Sequence, residues 1–190
     1  MKIGILGAMP EEIARLRGDL ADGRPETRGM RDYLAGTLAG KEVVLVFSRW
    51  GKVAAAATVT TLIEAFGVDL ILFTGVAGAV ADDLNIGDVV IATELIQHDM
   101  DVSAVLALQR FEIPLLHRAS FPVEPRLVAW GHRAAERYLS GPLRNDVGAA
   151  DLAEFGIDRP KVRDGLIVSG DQFIADAARA AGLRALLPGA

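Results

Sequence analysis

The apolar positions of this chain change their spacing from one segment to the next. Lys2 to Leu6 is a short continuous apolar run with the length of a buried strand, while Glu11 to Leu20 sets Ile13, Leu16 and Leu20 on one helical face. Between Arg28 and Ser48, two β-rich runs, MRDYLAGTL and KEVVLVFS, flank Ala39-Gly40 and predict a hairpin. Gly51 to Gly67 reads as an alanine-rich helix closed by a C-terminal glycine. It leads into the apolar run Asp69 to Gly75, expected to be a central strand. Gly87 to Asp99 predicts another strand, and Val102 to Phe121, apolar without a clean period, a long loop packed on something. Pro125 to Tyr138 predicts a helix. Leu139 to Pro160, rich in Gly, Pro, Asn and Asp, predicts an exposed excursion. Gly165 to Phe173 returns to a strand and a polar turn, and Ile174 to Leu187 is a last helix. This alternation is the pattern of an α/β domain. No internal repeat or linker-like composition shift interrupts it, so residues 1–190 are expected to form one domain.

Composition narrows the chemistry. With 25 acidic and 20 basic side chains the net charge is -5, which argues against general attraction to nucleic acid or an anionic membrane. A small neutral or cationic ligand is the expectation. Cysteine is absent, which excludes disulfides, thiolate metal sites and thiol catalysis within these residues. No run approaches about 18 apolar residues and no signal-like segment opens the chain, so a cytoplasmic location is expected.

Three predicted strands exit through glycine-rich turns: GAMPEE, GVAGAV and SGDQF. The C-terminal ends of strands in α/β sheets gather backbone N–H groups and helix N-termini, so three such exits suit one ligand pocket. Neither a Gly-x-Gly-x-x-Gly fingerprint nor a Gly-Lys-Ser/Thr motif is present. Glu11 and Glu12 follow Pro10 at the mouth of the first helix. Acidic residues there can simply complement the helix dipole. At about 100° per residue, however, Glu11 lies nearly opposite the apolar face, four residues before Arg15, whereas Glu12 borders that face. Glu12 is therefore expected to aim inward beside the glycine-rich turn, shielded from bulk water, as suits a general base acting on a bound water. His98, Asp99 and Asp101 in QHDMDV lack the spacing of a known metal motif and are expected to hydrogen-bond at a strand end. Asp171 is expected to organise a turn, and Phe173 either fills core or stacks on a flat heterocycle. Ser169 lacks a nucleophile elbow.

Taken together, MKIGILGAMPEEI, WGKVAAAATVTTLI, TGVAGAV followed by GDVVIA, QHDMDV and GLIVSGDQFI resemble, in order and spacing, the 5′-methylthioadenosine/S-adenosylhomocysteine nucleosidases of the nucleoside phosphorylase superfamily. The resemblance covers nearly the whole chain apart from the excursion at 139–160. It implies an α/β fold with a mixed, mostly parallel central sheet flanked by helices, a homodimer, no cofactor or metal, and hydrolysis of an N-glycosidic bond to release adenine. It gives Glu12 the role of activating water and places Met9 near the sugar and water. Gly78 and Ile174 match substrate-contacting positions, Ile174 through its backbone, and Phe173 matches the aromatic stacked on adenine. Val102 and the segment after it match the part that covers the partner's substrate across the dimer.

Two pocket positions depart from the common pattern: Val76 stands where many members carry serine, and Trp50 where a smaller aliphatic is common. The resemblance further implies continuation into a strand with a Met-Glu pair that grips the ribose and a Ser-Asp loop bearing the general acid. The chain is thus expected to be C-terminally truncated, lacking the last strands and helix of the fold, with exposed sheet edges and apolar faces as the consequence. Three readings stay open: the nucleosidase itself, an enzyme for another nucleoside such as futalosine or AMP, and a non-catalytic nucleoside-binding relative.

Overall fold

The computed structural model describes all 190 residues, Met1 to Ala190, as two compact units, residues 1–77 and 78–190. The first unit is a five-stranded sheet with two helices, built from β1 (Ile3–Gly7), α1 (Pro10–Asp19), β2 (Ala21–Arg28), β3 (Arg31–Leu38), β4 (Lys41–Phe47), α2 (Lys52–Glu64) and β5 (Leu70–Phe73). Its strand order is β2-β3-β4-β1-β5, with β1 parallel to both β4 and β5 and the hairpins antiparallel. The predicted hairpin is present. Leu38 pairs with Lys41 across Ala39 and Gly40, whose φ angles of 47° and 75° make the tight turn whose twist matches the strands.

One face of this sheet buries Leu6, Val44, Val46 and Leu62, with Tyr33 stacked on Phe66 at 4.9 Å between ring centroids. The other face buries Ile5, Val43 and Leu45 against Ile13 of α1, flanked by Leu16 and Leu20, as their spacing predicts.

The structure corrects two readings and adds one element in this unit and the next. β5 is the last strand of its sheet rather than a central one, and its Leu72 and Phe73 are 37% and 58% exposed. Apolar content reports what the faces of a strand meet and says nothing about whether both edges are paired. β2, absent from the sequence reading, is exposed along its whole length and carries Pro25. Such an edge strand has no apolar face to bury, so hydrophobic spacing gives no signal for it.

The second unit holds β6 (Val89–Gln97), β7 (Ser120–Pro122), α3 (Pro125–Ser140), α4 (Leu143–Asp146), α5 (Ala149–Glu154), β8 (Val162–Ser169) and α6 (Ala177–Leu186). Its sheet runs β7-β6-β8, with β6 and β8 parallel. The excursion at 139–160 is exposed over most of its length, as expected, and contains α4 and α5, with Leu152 of α5 buried. Its Pro142, Gly148 and Gly156 punctuate short helices instead of marking coil. Of the loop expected over Val102 to Phe121, residues 102–119 carry no helix or strand beyond an isolated bridge between Ile113 and Arg118, whereas Ser120 and Phe121 belong to β7.

A histidine clasp ties α3 to β8. His132 Nδ1 lies 2.7 Å from Asp164 Oδ1, and its Nε2 lies 3.3 Å from Glu136 Oε1. The hydrogen bond to Asp164, opposed by partial desolvation and reinforced by the charges of Asp164 and Glu136, raises the imidazole pKa above its ordinary 6.5. A folded-state pKa above the unfolded one contributes stability that is complete below the unfolded value and disappears as pH rises through the folded value. His132→Gln is therefore expected to destabilise the chain most at pH values below about 6.5. The deficit should narrow as pH rises above that value. Urea unfolding of both proteins across a pH series measures the gap, and a gap independent of pH would contradict the clasp.

Candidate active site

The exit of β1 and the first turn of α1 form one compact device. Gly7 ends β1, Met9 caps the helix in extended conformation, and Pro10 begins it without needing an N–H partner. Glu12, third in the helix, turns its carboxylate back over this turn. Its Oε2 accepts from the Ala8 N–H at 2.7 Å and the Met9 N–H at 3.0 Å. The Met9 bond is the side-chain-to-cap half of a capping box. Its Oε1 accepts from the Val76 N–H at 3.0 Å, on the segment that leaves β5. Two of the three glycine-rich exits thus meet on one carboxylate. Glu11 is exposed and Glu12 half-buried, the division that helical phase predicts.

Two further features hold this device in place. Ser48, 1% exposed at the end of β4, donates its N–H to the Gly7 carbonyl at 2.9 Å, and its hydroxyl lies between the Arg49 carbonyl, at 2.9 Å, and that of Gly7, at 3.2 Å. The turn carrying the Ala8 and Met9 amides is therefore anchored from the neighbouring strand. Gly75 passes directly under the carboxylate, where any Cβ would stand 2.6 Å from Glu12 Oε1. Neither Ser48 nor Gly75 was legible as a site residue, because their roles arise from strand pairing and not from local pattern.

The lone pairs of the carboxylate define what it can do. An ionised carboxylate offers about four acceptor positions, two per oxygen. Oε2 receives two N–H bonds and Oε1 one, which leaves an acceptor position on Oε1. A water hydrogen-bonded there would be oriented by a fixed oxygen and could give up its proton to it.

Of the other predicted site residues in the first unit, Met9 flanks Glu12 through its amide, and Val76 supplies the Oε1 bond while its side chain is 81% exposed. Trp50, in the turn between β4 and α2, is 76% exposed.

In the second unit the parallel pair β6 and β8 brings QHDMDV beside SGDQF. The His98 N–H donates to the Ser169 carbonyl at 2.9 Å, and the Asp99 carboxylate accepts from the Asp171 N–H at 2.8 Å. These are the strand-end hydrogen bonds expected of His98 and Asp99. Asp101 accepts from the Ser103 hydroxyl and amide and faces Arg110, and these partners hold its carboxyl below the ordinary range against slight desolvation. A cavity of about 420 Å³ opens here, lined among others by His98, Asp101, Gln172, Ile174 and Arg179. Ile174 therefore faces a cavity, and Phe173 beside it is 90% exposed. Gly78 approaches the Ile174 backbone, since a Cβ on it would lie 3.6 Å from the Ile174 carbonyl oxygen. Val102 is half-buried, its carbonyl accepting from the Val105 and Leu106 amides.

Comparison with known proteins identifies the family of the chain. Residues 2–188 match the family model of the phosphorylase superfamily. The 5′-methylthioadenosine/S-adenosylhomocysteine nucleosidase of Shewanella putrefaciens is 38% identical over 179 residues, which span 94% of this chain and 68% of that protein. The crystal structure of the Neisseria meningitidis nucleosidase of the same name, in complex with methylthio-immucillin-A, superposes with a TM-score of 0.83 at 32% identity, covering 99% of this chain and 72% of that one. A futalosine hydrolase mutant of Helicobacter pylori gives a TM-score of 0.81 at 31% identity, over 100% of this chain and 77% of its own. The mixed α/β fold, the order of the motifs and these matches together establish that the chain belongs to the 5′-methylthioadenosine/S-adenosylhomocysteine nucleosidase family of the phosphorylase superfamily.

Proposed function

We propose that this protein is a hydrolase that cleaves the N-glycosidic bond of 5′-methylthioadenosine and S-adenosylhomocysteine and releases adenine, with Glu12 as general base. The observation that carries the reading is the Glu12 carboxylate, fixed by three backbone N–H groups from two strand exits with one acceptor position left on Oε1. In the reaction the sugar carbon–nitrogen bond breaks and a carbon–oxygen bond to water forms. Glu12 takes one proton from that water, and a general acid delivers one to the departing adenine. By family resemblance Met9 lies near the sugar and water, Trp50 and Val76 are substrate-pocket positions, Gly78 and the Ile174 backbone contact substrate, and Phe173 stacks on the adenine ring. Val102 belongs to the segment that covers a partner's substrate in a homodimer. Residues 1–190 belong to a single nucleosidase domain in this reading. Family resemblance puts the acid on a Ser-Asp loop, and no Ser-Asp pair occurs in these 190 residues, so Glu12 is the half of the acid–base pair that the chain supplies by itself. A cytoplasmic location fits this reading.

The futalosine hydrolase likeness supports a second substrate of the same chemical kind. Incubating the purified 190-residue chain with methylthioadenosine, S-adenosylhomocysteine and futalosine, and measuring free base by chromatography, separates the readings. Slow adenine release from the first two, with Glu12 acting as base without a Ser-Asp acid, is the expected result. Base release from futalosine alone would move the assignment to that substrate. Saturable nucleoside binding without release would make this a binding protein.

A further inference from the structure

A groove in the first unit, separate from the Glu12 carboxylate, carries features that the hydrolysis does not use. It holds about 240 Å³ between α1 and the β2–β3–β4 hairpins. Its floor is apolar: Ile13 and Leu45 are 5% and 2% exposed, with Leu34 and Phe47 half-buried beside them. Its rim carries the guanidinium groups of Arg17, Arg31 and Arg49 against one carboxylate, Asp32.

How these cations are held is the decisive point. Arg31 donates from Nε to the Ser48 carbonyl at 3.1 Å and from Nη1 to the Gly29 carbonyl at 2.8 Å. Arg49 donates from Nη2 to the Met30 carbonyl at 2.5 Å. Backbone carbonyls are neutral acceptors, so they fix both planar groups in position without cancelling their charge. The Asp32 carboxylate accepts from the Thr27 hydroxyl at 2.6 Å. Arg17 projects from the exposed last turn of α1. A protein with a net charge of -5 therefore keeps a locally cationic rim over an apolar floor. Pre-positioned guanidinium forks match carboxylate and phosphate oxygens, and an apolar floor selects a ligand with a hydrocarbon body.

We propose that this groove is a second ligand site, for a small amphipathic anion with one acidic group and one short apolar body. Its volume lies below the roughly 300–1,000 Å³ of sites for drug-sized molecules, so the occupant is about one ring in size. Pro10 and Ile13, which flank Glu12 in the first turn of α1, also line the groove, so an occupant rests on the turn that carries that carboxylate.

Benzoate is the probe, titrated calorimetrically into the 190-residue chain, with amide NMR shifts locating where it binds. Saturable benzoate binding is expected, with shifts at Ile13, Leu34 and Phe47. Arg17→Gln should weaken it about tenfold, the effect of one lost charge-assisted hydrogen bond. Benzyl alcohol, with the same ring and no charge, should bind at least about tenfold more weakly, and so should inorganic phosphate, which lacks the apolar body. Arg17 is exposed, so an unchanged melting temperature of the ligand-free variant verifies its fold. The proposal is overturned by no saturation up to about 10 mM benzoate, by shifts elsewhere, by equal affinity of either control compound, or by an Arg17→Gln variant that binds as the parent does.

Discussion

Glu12→Gln is expected to lower adenine release by about 10²–10⁴-fold, the usual span of a lost general base. The geometry says which atom is responsible. Glutamine keeps the shape of glutamate but has a single oxygen. That oxygen makes more bonds at the Oε2 position, where the Ala8 and Met9 amides point at it, than at Oε1, where only Val76 does. The side-chain NH2 then occupies the Oε1 position, donor against the Val76 N–H and unable to accept a proton from water. Folding suffers far less, because Val76 is 81% exposed and water can take over its N–H. A stability loss of about 1.5–3 kcal/mol follows, that of one hydrogen bond to a charged group. Glu11→Gln, at the exposed neighbour, should leave turnover within about twofold. Steady-state rates of the two variants test this assignment, and a Glu12→Gln protein that retains its activity removes the residue from the mechanism.

How Glu12 was legible, and its setting was not, follows from the range of the interactions concerned. The turn from Gly7 through Pro10 to Glu12 is local: a strand, a cap and a helical phase specify that the second glutamate faces inward. The same holds for the Ala39-Gly40 hairpin and for the Ile13, Leu16 and Leu20 face, each readable within one turn of chain. The Val76 N–H reaches Glu12 across 64 positions of sequence and Ser48 reaches Gly7 across 41, and no periodicity encodes either. Parallel pairing of β1 with β4 and β5 creates both contacts. Edge status escaped the reading for the same reason. The apolar run at β5 specifies a strand but not its neighbours, and the polar β2 is held by pairing to β3, with Thr27 and Asp32 bonded across it, while presenting no face to a core.

Gly75→Ala should be nearly as damaging as removing the carboxylate itself, although position 75 touches no proton in the reaction. The added Cβ would stand 2.6 Å from Glu12 Oε1, 2.8 Å from its Cδ and 2.9 Å from its Oε2. Real Cβ atoms do not approach so closely, so either the carboxylate or the segment leaving β5 has to move. Gly75 is not among the glycines with positive φ, so alanine meets no backbone penalty there and the clash is the whole effect. Displacing a reacting group by about 1 Å costs on the order of 10²-fold in rate, and forcing extra volume into a filled site costs about 1–3 kcal/mol of stability. The oxygen pushed hardest is Oε1, the one with an acceptor position left for water. A double-mutant cycle isolates this cause. In a Glu12→Ala background the side chain that Gly75→Ala collides with is gone, so the second substitution should cost almost nothing, and the two stability losses should fall short of additivity by about 1–3 kcal/mol. Urea unfolding of the four proteins supplies the numbers. Additive losses would mean that Gly75 serves the backbone alone, and that the close fit between the β5 exit and Glu12 does not position the base.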